Sequence, residues 1–134
     1  MSTFDSFRIA GSGLYANRKW MDAVSDNITN INTATSTDQS AFQERMIVVE
    51  AADYGSGQGG VRVAGAEFGP AEGRLVHEPD DPLADADGYV RYPDIDLGDQ
   101  MTQLIMAQRS YQANLASIER ATDAYQAALQ LGKG

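Results

Sequence analysis

The chain has 134 residues, no cysteine, and a formal charge of −9 from 19 acids and 10 bases. That length makes one domain the default, and the lack of cysteine excludes disulfide and thiol chemistry. No basic stripe exists to neutralise phosphates, which excludes nucleic acid, and no run reaches the ~18 apolar residues of a membrane span.

The charge is unevenly spread. Residues 36–95 carry twelve acids against four bases, and the two flanking segments are near neutral. Near-neutral ends can pack closely on copies or relatives, whereas an acidic middle faces solvent.

Ser2 followed by Asp5 is a capping-box variant that starts a first helix. Positions three and four apart then read Phe7, Ala10, Leu14, Asn17, Met21, Val24, Ile28 and Ile31, with Asn17 alone polar. Gly11 and Gly13 each cost about 1 kcal/mol relative to Ala in a helix interior. Contacts beyond the helix must therefore hold it. The run Asn27 to Thr37 is rich in residues that favour caps and turns, so the helix ends near Ile31 and a loop follows.

Met46-Ile47-Val48-Val49 is a β-branched run within a strand over residues 42–50. Residues 55–60, rich in glycine, form a turn. Val61 and Val63 alternate with Arg62 and Ala64 in a second strand. Arg74 to His77 is a third, Pro79 and Pro82 bracket an acidic loop, and Gly88 to Pro93 is extended. Sequence parity puts Tyr89 and Tyr92 on opposite faces, one of them against the helices.

The last helix begins at Asp96, has Asp99 in its first turn, and ends at Gly132 with Lys133 complementing the dipole. Positions alternately four and three apart read Leu97, Met101, Leu104, Gln108, Tyr111, Leu115, Ile118, Thr122, Tyr125 and Leu129. Gln108 and Thr122 alone interrupt this apolar seam. A seam so narrow suits helix-on-helix packing with a 3.5-residue repeat. Gln108 and Asn17 are candidates for fixing register. The expected fold is mainly α with a small β-rich insertion. Residues 1–34 and 96–134 form a coiled-coil core of antiparallel type, and residues 35–95 form an acidic middle.

Little here resembles chemistry. Aligning Gly88 to the EF-hand glycine puts Asp85 and Asp87 at ligand positions, but Leu83 takes the first position and Asp94 replaces the bidentate glutamate. The loop reads as a solvated acidic turn, and no metal or cofactor is expected. The glycines at 55–60 lack the Lys and Ser/Thr of a phosphate loop. His77, the one histidine, has no Cys or Ser–Asp arrangement near it in sequence.

Three motifs carry a resemblance. Asn27, Asn30 and Thr33 lie in Ser25-Asp26-Asn27-Ile28-Thr29-Asn30-Ile31-Asn32-Thr33. Gly88, Tyr89, Val90 and Pro93 lie in the block before the last helix. Arg109, Tyr111 and Asn114 lie in Arg109-Ser110-Tyr111-Gln112-Ala113-Asn114. In this order they resemble the rod and hook axial proteins of the bacterial flagellum. The Gly-Tyr-Val-x-x-Pro block is similar to the rod-protein-C branch, proximal rod subunits. Departures are local: Asp99-Gln100 stands where the family pattern has two glutamates, and Thr29 where it has alanine.

The resemblance implies a non-enzymatic rod subunit of the basal body, part of a torque-transmitting shaft and export conduit crossing the periplasm. Its terminal helices pack with neighbours in a helical tube. Its partners would be other rod proteins, copies of itself and the flagellar type III export apparatus. The N-terminus has no basic region followed by an apolar run, which by itself indicates the cytoplasm. The resemblance implies instead export without a cleaved signal peptide. The alternative from the residues is a soluble coiled-coil adaptor whose acidic β insertion binds a basic partner. Salt would release such a partner.

Overall fold

A computed structural model describes residues 2–53, 55 and 59–134. Residues 56–58 of the glycine-rich turn expected at 55–60 lie outside the described residues. Two helices, α1 (Thr3–Asn30) and α2 (Leu97–Gly132), flank four strands: β1 (Arg45–Ala51), β2 (Val61–Phe68), β3 (Arg74–His77) and β4 (Tyr89–Tyr92). The chain is thus mainly helical with a β insertion.

The helix starts are built as their sequences dictate. Ser2 Oγ accepts from Asp5 N at 3.2 Å while Ser2 N donates to Asp5 Oδ2 at 3.0 Å, a reciprocal cap that satisfies two orphan donors. Asp96 caps α2 by accepting from Asp99 N at 2.8 Å.

The helices lie side by side and run in opposite directions. Phe4 meets Tyr125 edge to face at 6.0 Å. Further along, Trp20 Nε1 donates to Gln103 Oε1 at 3.2 Å, and Asn27 Nδ2 to Gln100 Oε1 at 2.9 Å. Small side chains sit between them: Ala10, Ala16, Ala23 and Ala107 are all buried. Small residues at the contact allow a short interaxial distance. Val24, 1% exposed, is the largest apolar side chain buried on α1, and such burial stabilises by roughly 1.5–3 kcal/mol.

The strands form two antiparallel hairpins. β1 and β2 pair from Arg45↔Phe68 to Ala51↔Val61, with an irregularity between Val48 and Val49 that bends the ribbon. This hairpin packs on α1. β3 and β4 pair from Arg74↔Tyr92 to His77↔Tyr89. Among the described residues neither β3 nor β4 approaches a helix backbone. The expectation that Tyr89 or Tyr92 faces the helices is therefore corrected. Tyr89 stacks edge to face on His77 at 5.1 Å, and Tyr92 Oη donates to Glu78 Oε2 at 2.8 Å. Cross-strand neighbours lie closer than the helices, and they take both rings.

Loops tie the second hairpin down. Thr35 and Arg91 exchange backbone bonds of 2.8 and 2.9 Å. The Arg91 guanidinium donates to the carbonyls of Thr37 and Glu72. Val90 and Pro93 are fully buried beneath these segments, and Ile95 nearly so.

Candidate assembly surface

The end of α1, the start of α2 and the start of β1 meet at one buried polar knot. Asn27 is fully buried. Its Nδ2 donates to Arg45 O at 3.0 Å and to Gln100 Oε1 at 2.9 Å, and its Oδ1 accepts from Arg45 N at 2.9 Å. Gln100, also fully buried, donates from Nε2 to Glu44 Oε1 at 2.6 Å. An amide side chain suits this place because it donates and accepts at once, satisfying two backbone groups and a second amide. Arg45 Nη1 adds an exposed ion pair to Asp26 at 2.9 Å, worth little on its own.

The residues expected in the seam divide into two groups. On α1, Val24 is buried, and Phe7, Leu14, Met21, Ile28 and Ile31 are half-buried. On α2, Leu104, Tyr111 and Ile118 are half-buried, whereas Leu97, Met101, Leu115, Tyr125 and Leu129 are exposed, by 50%, 46%, 39%, 39% and 49%. The buried residues of α2 are Gln100 and Ala107. Gln103, Ser110 and Asn114, on the same side, are half-buried.

The most buried side of α2 is thus small and polar, and the apolar stripe lies beside it, displaced by about a quarter turn, with Tyr111 and Tyr125 at its edge reaching Leu14 and Phe4 of α1. The physical reason is Gly13. A Cβ there would come within 2.7 Å of Asn114 Nδ2, so the glycine admits an amide where a leucine would force the helices apart. Ile105 and Met106, 48% and 54% exposed, add to the open apolar surface of α2. They stand outside the four-three spacing, and the signal available for them was their position flanking it.

Gln108 is exposed, and Asn17 is buried with no partner for its Nδ2.

The motif residues are placed as follows. Asn30 Nδ2 donates to Asp26 O at 2.9 Å, and Thr33 Oγ1 donates to Asn30 Oδ1 at 3.3 Å, closing the end of α1. Gly88 is buried at φ +84°, where a Cβ would lie 3.0 Å from both His77 and Pro79. Only glycine takes that conformation and that space without strain. Arg109 is exposed on α2.

The acidic loop braces itself. Asp85 Oδ1 accepts from Asp87 N and Tyr89 N, and its Oδ2 accepts from Thr37 Oγ1 at 3.0 Å. The Tyr89 backbone bond is the main cause that holds this carboxyl below its ordinary range. The Glu78 carboxylate accepting from Tyr92 pushes that phenol up. Among the described residues no three His, Cys, Asp or Glu side chains gather to hold a metal. No described helix is long and apolar enough to cross a membrane. What this arrangement can do is bury apolar helix surface against other helices.

Residues 7–34 match the family described as "Flagella basal body rod protein". Residues 86–131 match "Flagellar basal body rod FlgEFG protein C-terminal". The chain is 39% identical to flagellar basal-body rod protein FlgC of Yersinia enterocolitica, covering 99% of this chain and 100% of that protein. It is 36% identical to the protein of the same name from Salmonella typhimurium, with the same coverage. Identity is 28% to that of Bacillus subtilis, with 99% of this chain and 100% of that one covered. With full-length identity at this level, and the motifs of both ends standing on the paired helices, the chain belongs to the flagellar basal-body rod protein FlgC family.

Proposed function

We propose that this structural rod subunit builds its part of the basal-body rod by packing the apolar stripe of α2, and the flanking apolar residues of α1, against helices of neighbouring subunits. The observation that carries the reading is the open stripe Leu97, Met101, Ile105 and Leu115 on a helix whose other side is already closed by small residues. So many exposed apolar side chains on one helix mark an interaction surface. Packed at the 3.5-residue repeat of the stripe, the helices form a coiled-coil core. Heterologous contacts that do not close generate a helical tube. Such a tube serves as a drive shaft, since torque passes through many parallel helix contacts, and its lumen serves as an export conduit. The partners are other rod proteins and copies of this chain.

Delivery through the flagellar type III apparatus, with no cleaved signal peptide, fits the absence of cysteine and a first helix weakened by Gly11 and Gly13. The acidic middle keeps the outer surface soluble.

Leu104→Asp tests the reading. A charge placed in the stripe is desolvated on assembly, and the expected result is loss of rods and of swimming. Motile cells with intact rods carrying that change would contradict it. An adaptor held by its acidic insertion would release its partner at moderate salt, whereas apolar seams hold.

A further inference from the structure

A cleft and a helix end stand out among the described residues. The cleft, about 310 Å³, opens between α1, α2 and the β1–β2 hairpin, and Ile9, Asn17, Trp20, Ile47, Val49 and Ser110 are among the residues that line it. It is mostly apolar, and among the described residues no charged side chain lines it. Its volume exceeds the ~150 Å³ that holds a benzene ring, so it admits a leucine side chain with room to spare. Asn17 lines it, is only 7% exposed, and has no hydrogen-bond partner for Nδ2. A buried donor left unpaired costs about 1–3 kcal/mol, and an acceptor brought into the cleft removes that cost.

The helix end is that of α2. Phe4, in the first turn of α1, stands opposite Tyr125. From there α2 continues through seven more residues to Gly132, about 10 Å of helix. Leu129, one turn beyond Tyr125 along the same stripe, is 49% exposed, and Leu131 is 84% exposed. Residues 126–132 carry no charge. The last four carbonyls of a helix have no intrahelical donor, and of these that of Gln130 accepts from Lys133 N at 3.2 Å. The segment thus offers leucines and free acceptors together. Leu83, an exposed apolar residue of the middle, sits instead among Asp80, Asp81 and Asp85, which an uncharged cleft would have to desolvate.

We infer that the cleft receives the end of α2 from a second copy of this chain, Leu129 entering between Trp20 and Val49 and a carbonyl of the last turn accepting from Asn17 Nδ2. The inference rests on the assembly reading above and names its longitudinal contact. Donor and receiver are different surfaces of one chain, so the contact is head to tail and can repeat from copy to copy.

The test uses the full chain. Since it contains no native cysteine, Leu129→Cys and Val49→Cys can be introduced together, with Leu83→Cys plus Val49→Cys as the control pair. Rods are assembled in cells and treated with a short bismaleimide. The expected result is a ladder of cross-linked dimers and higher species from the first pair, at least tenfold above the control. Trp20, the sole tryptophan, gives a second readout in purified protein. Its emission should shift to the blue as concentration rises, and Leu129→Asp should abolish the shift. Rods that assemble without the ladder, or a shift that survives Leu129→Asp, would overturn the inference and leave the assembly reading intact. Unmodified protein that forms no rods at all would instead overturn the assembly reading.

Discussion

The two ends of the helix pair are finished differently. Where α1 ends and α2 begins, Asn27, Gln100, Glu44 and the backbone of Arg45 satisfy one another inside the chain. Where α1 begins, α2 runs past it, and Leu129 and Leu131 are exposed. One end is fastened by hydrogen bonds that only a folded subunit supplies. The other is left with apolar surface that only a neighbour can cover. The chain thus separates the contacts that fix its own fold from those that build an assembly.

Breaking the fastened end should have the largest effect on stability. Asn27→Ala leaves the Arg45 N–H and Gln100 Oε1 unpaired in a buried place, at about 1–3 kcal/mol for each group. The urea midpoint of the purified subunit should fall by the equivalent of about 3 kcal/mol. A loss under 0.5 kcal/mol would show the knot to be dispensable.

Gly88→Ala should cost less, about 1–2 kcal/mol for the left-handed backbone, with crowding from His77 and Pro79 added. Amide exchange should speed up in β3 and β4 while the helices keep their protection. Uniform acceleration would show that the hairpin and the helix pair are one cooperative unit.

A pair of glycines sharpens the contrast within α1. Gly11 has nothing within 4 Å of a Cβ, whereas Gly13 abuts Asn114. Gly11→Ala should stabilise by about 1 kcal/mol, and Gly13→Ala should lose that gain to displacement of Asn114. Equal gains in thermal melting would mean that the close approach is not needed.

The smallest effect concerns acid. Hydrogen bonds to the Tyr89 and Ser2 backbones hold Asp85 and Asp5 below the ordinary carboxylate range. Carboxyls depressed in the folded state contribute stability above that range and lose it as pH falls through the folded values. The loop of residues 78–89 should loosen at the acid end, seen as changes in its amide NMR shifts, and Asp85→Asn should remove most of that dependence.

Much of this was legible in the sequence, for reasons that differ by element. Ser2 with Asp5, and Asp96 with Asp99, start helices through bonds that are local in sequence. The β-branched run at Met46–Val49 and the segment Arg74–His77 became strands because side-chain type and alternation decide them locally. The most buried side of α2 was not legible. It is built from Gln100, Ala107, Ser110 and Asn114, and hydrophobicity does not single them out. An amide is buried only when its partners lie elsewhere in the fold, as with Asn27, whose acceptors stand 18 and 73 positions away. Gly13 read as a helix weakness, and its purpose became visible only with Asn114 beside it.

The central claim is that Leu97, Met101, Ile105 and Leu115 of α2 are left exposed by their own chain and covered by neighbours. The most direct test is Met101→Asp and Leu115→Asp, each followed by far-UV circular dichroism and melting of the purified subunit and by rod assembly in cells. Exposed positions tolerate such changes within about 0.5 kcal/mol, so helix content and melting temperature should match the parent while rods and swimming are lost. Subunits that unfold would place the stripe inside the monomer's own core. Intact rods on motile cells would contradict the claim outright.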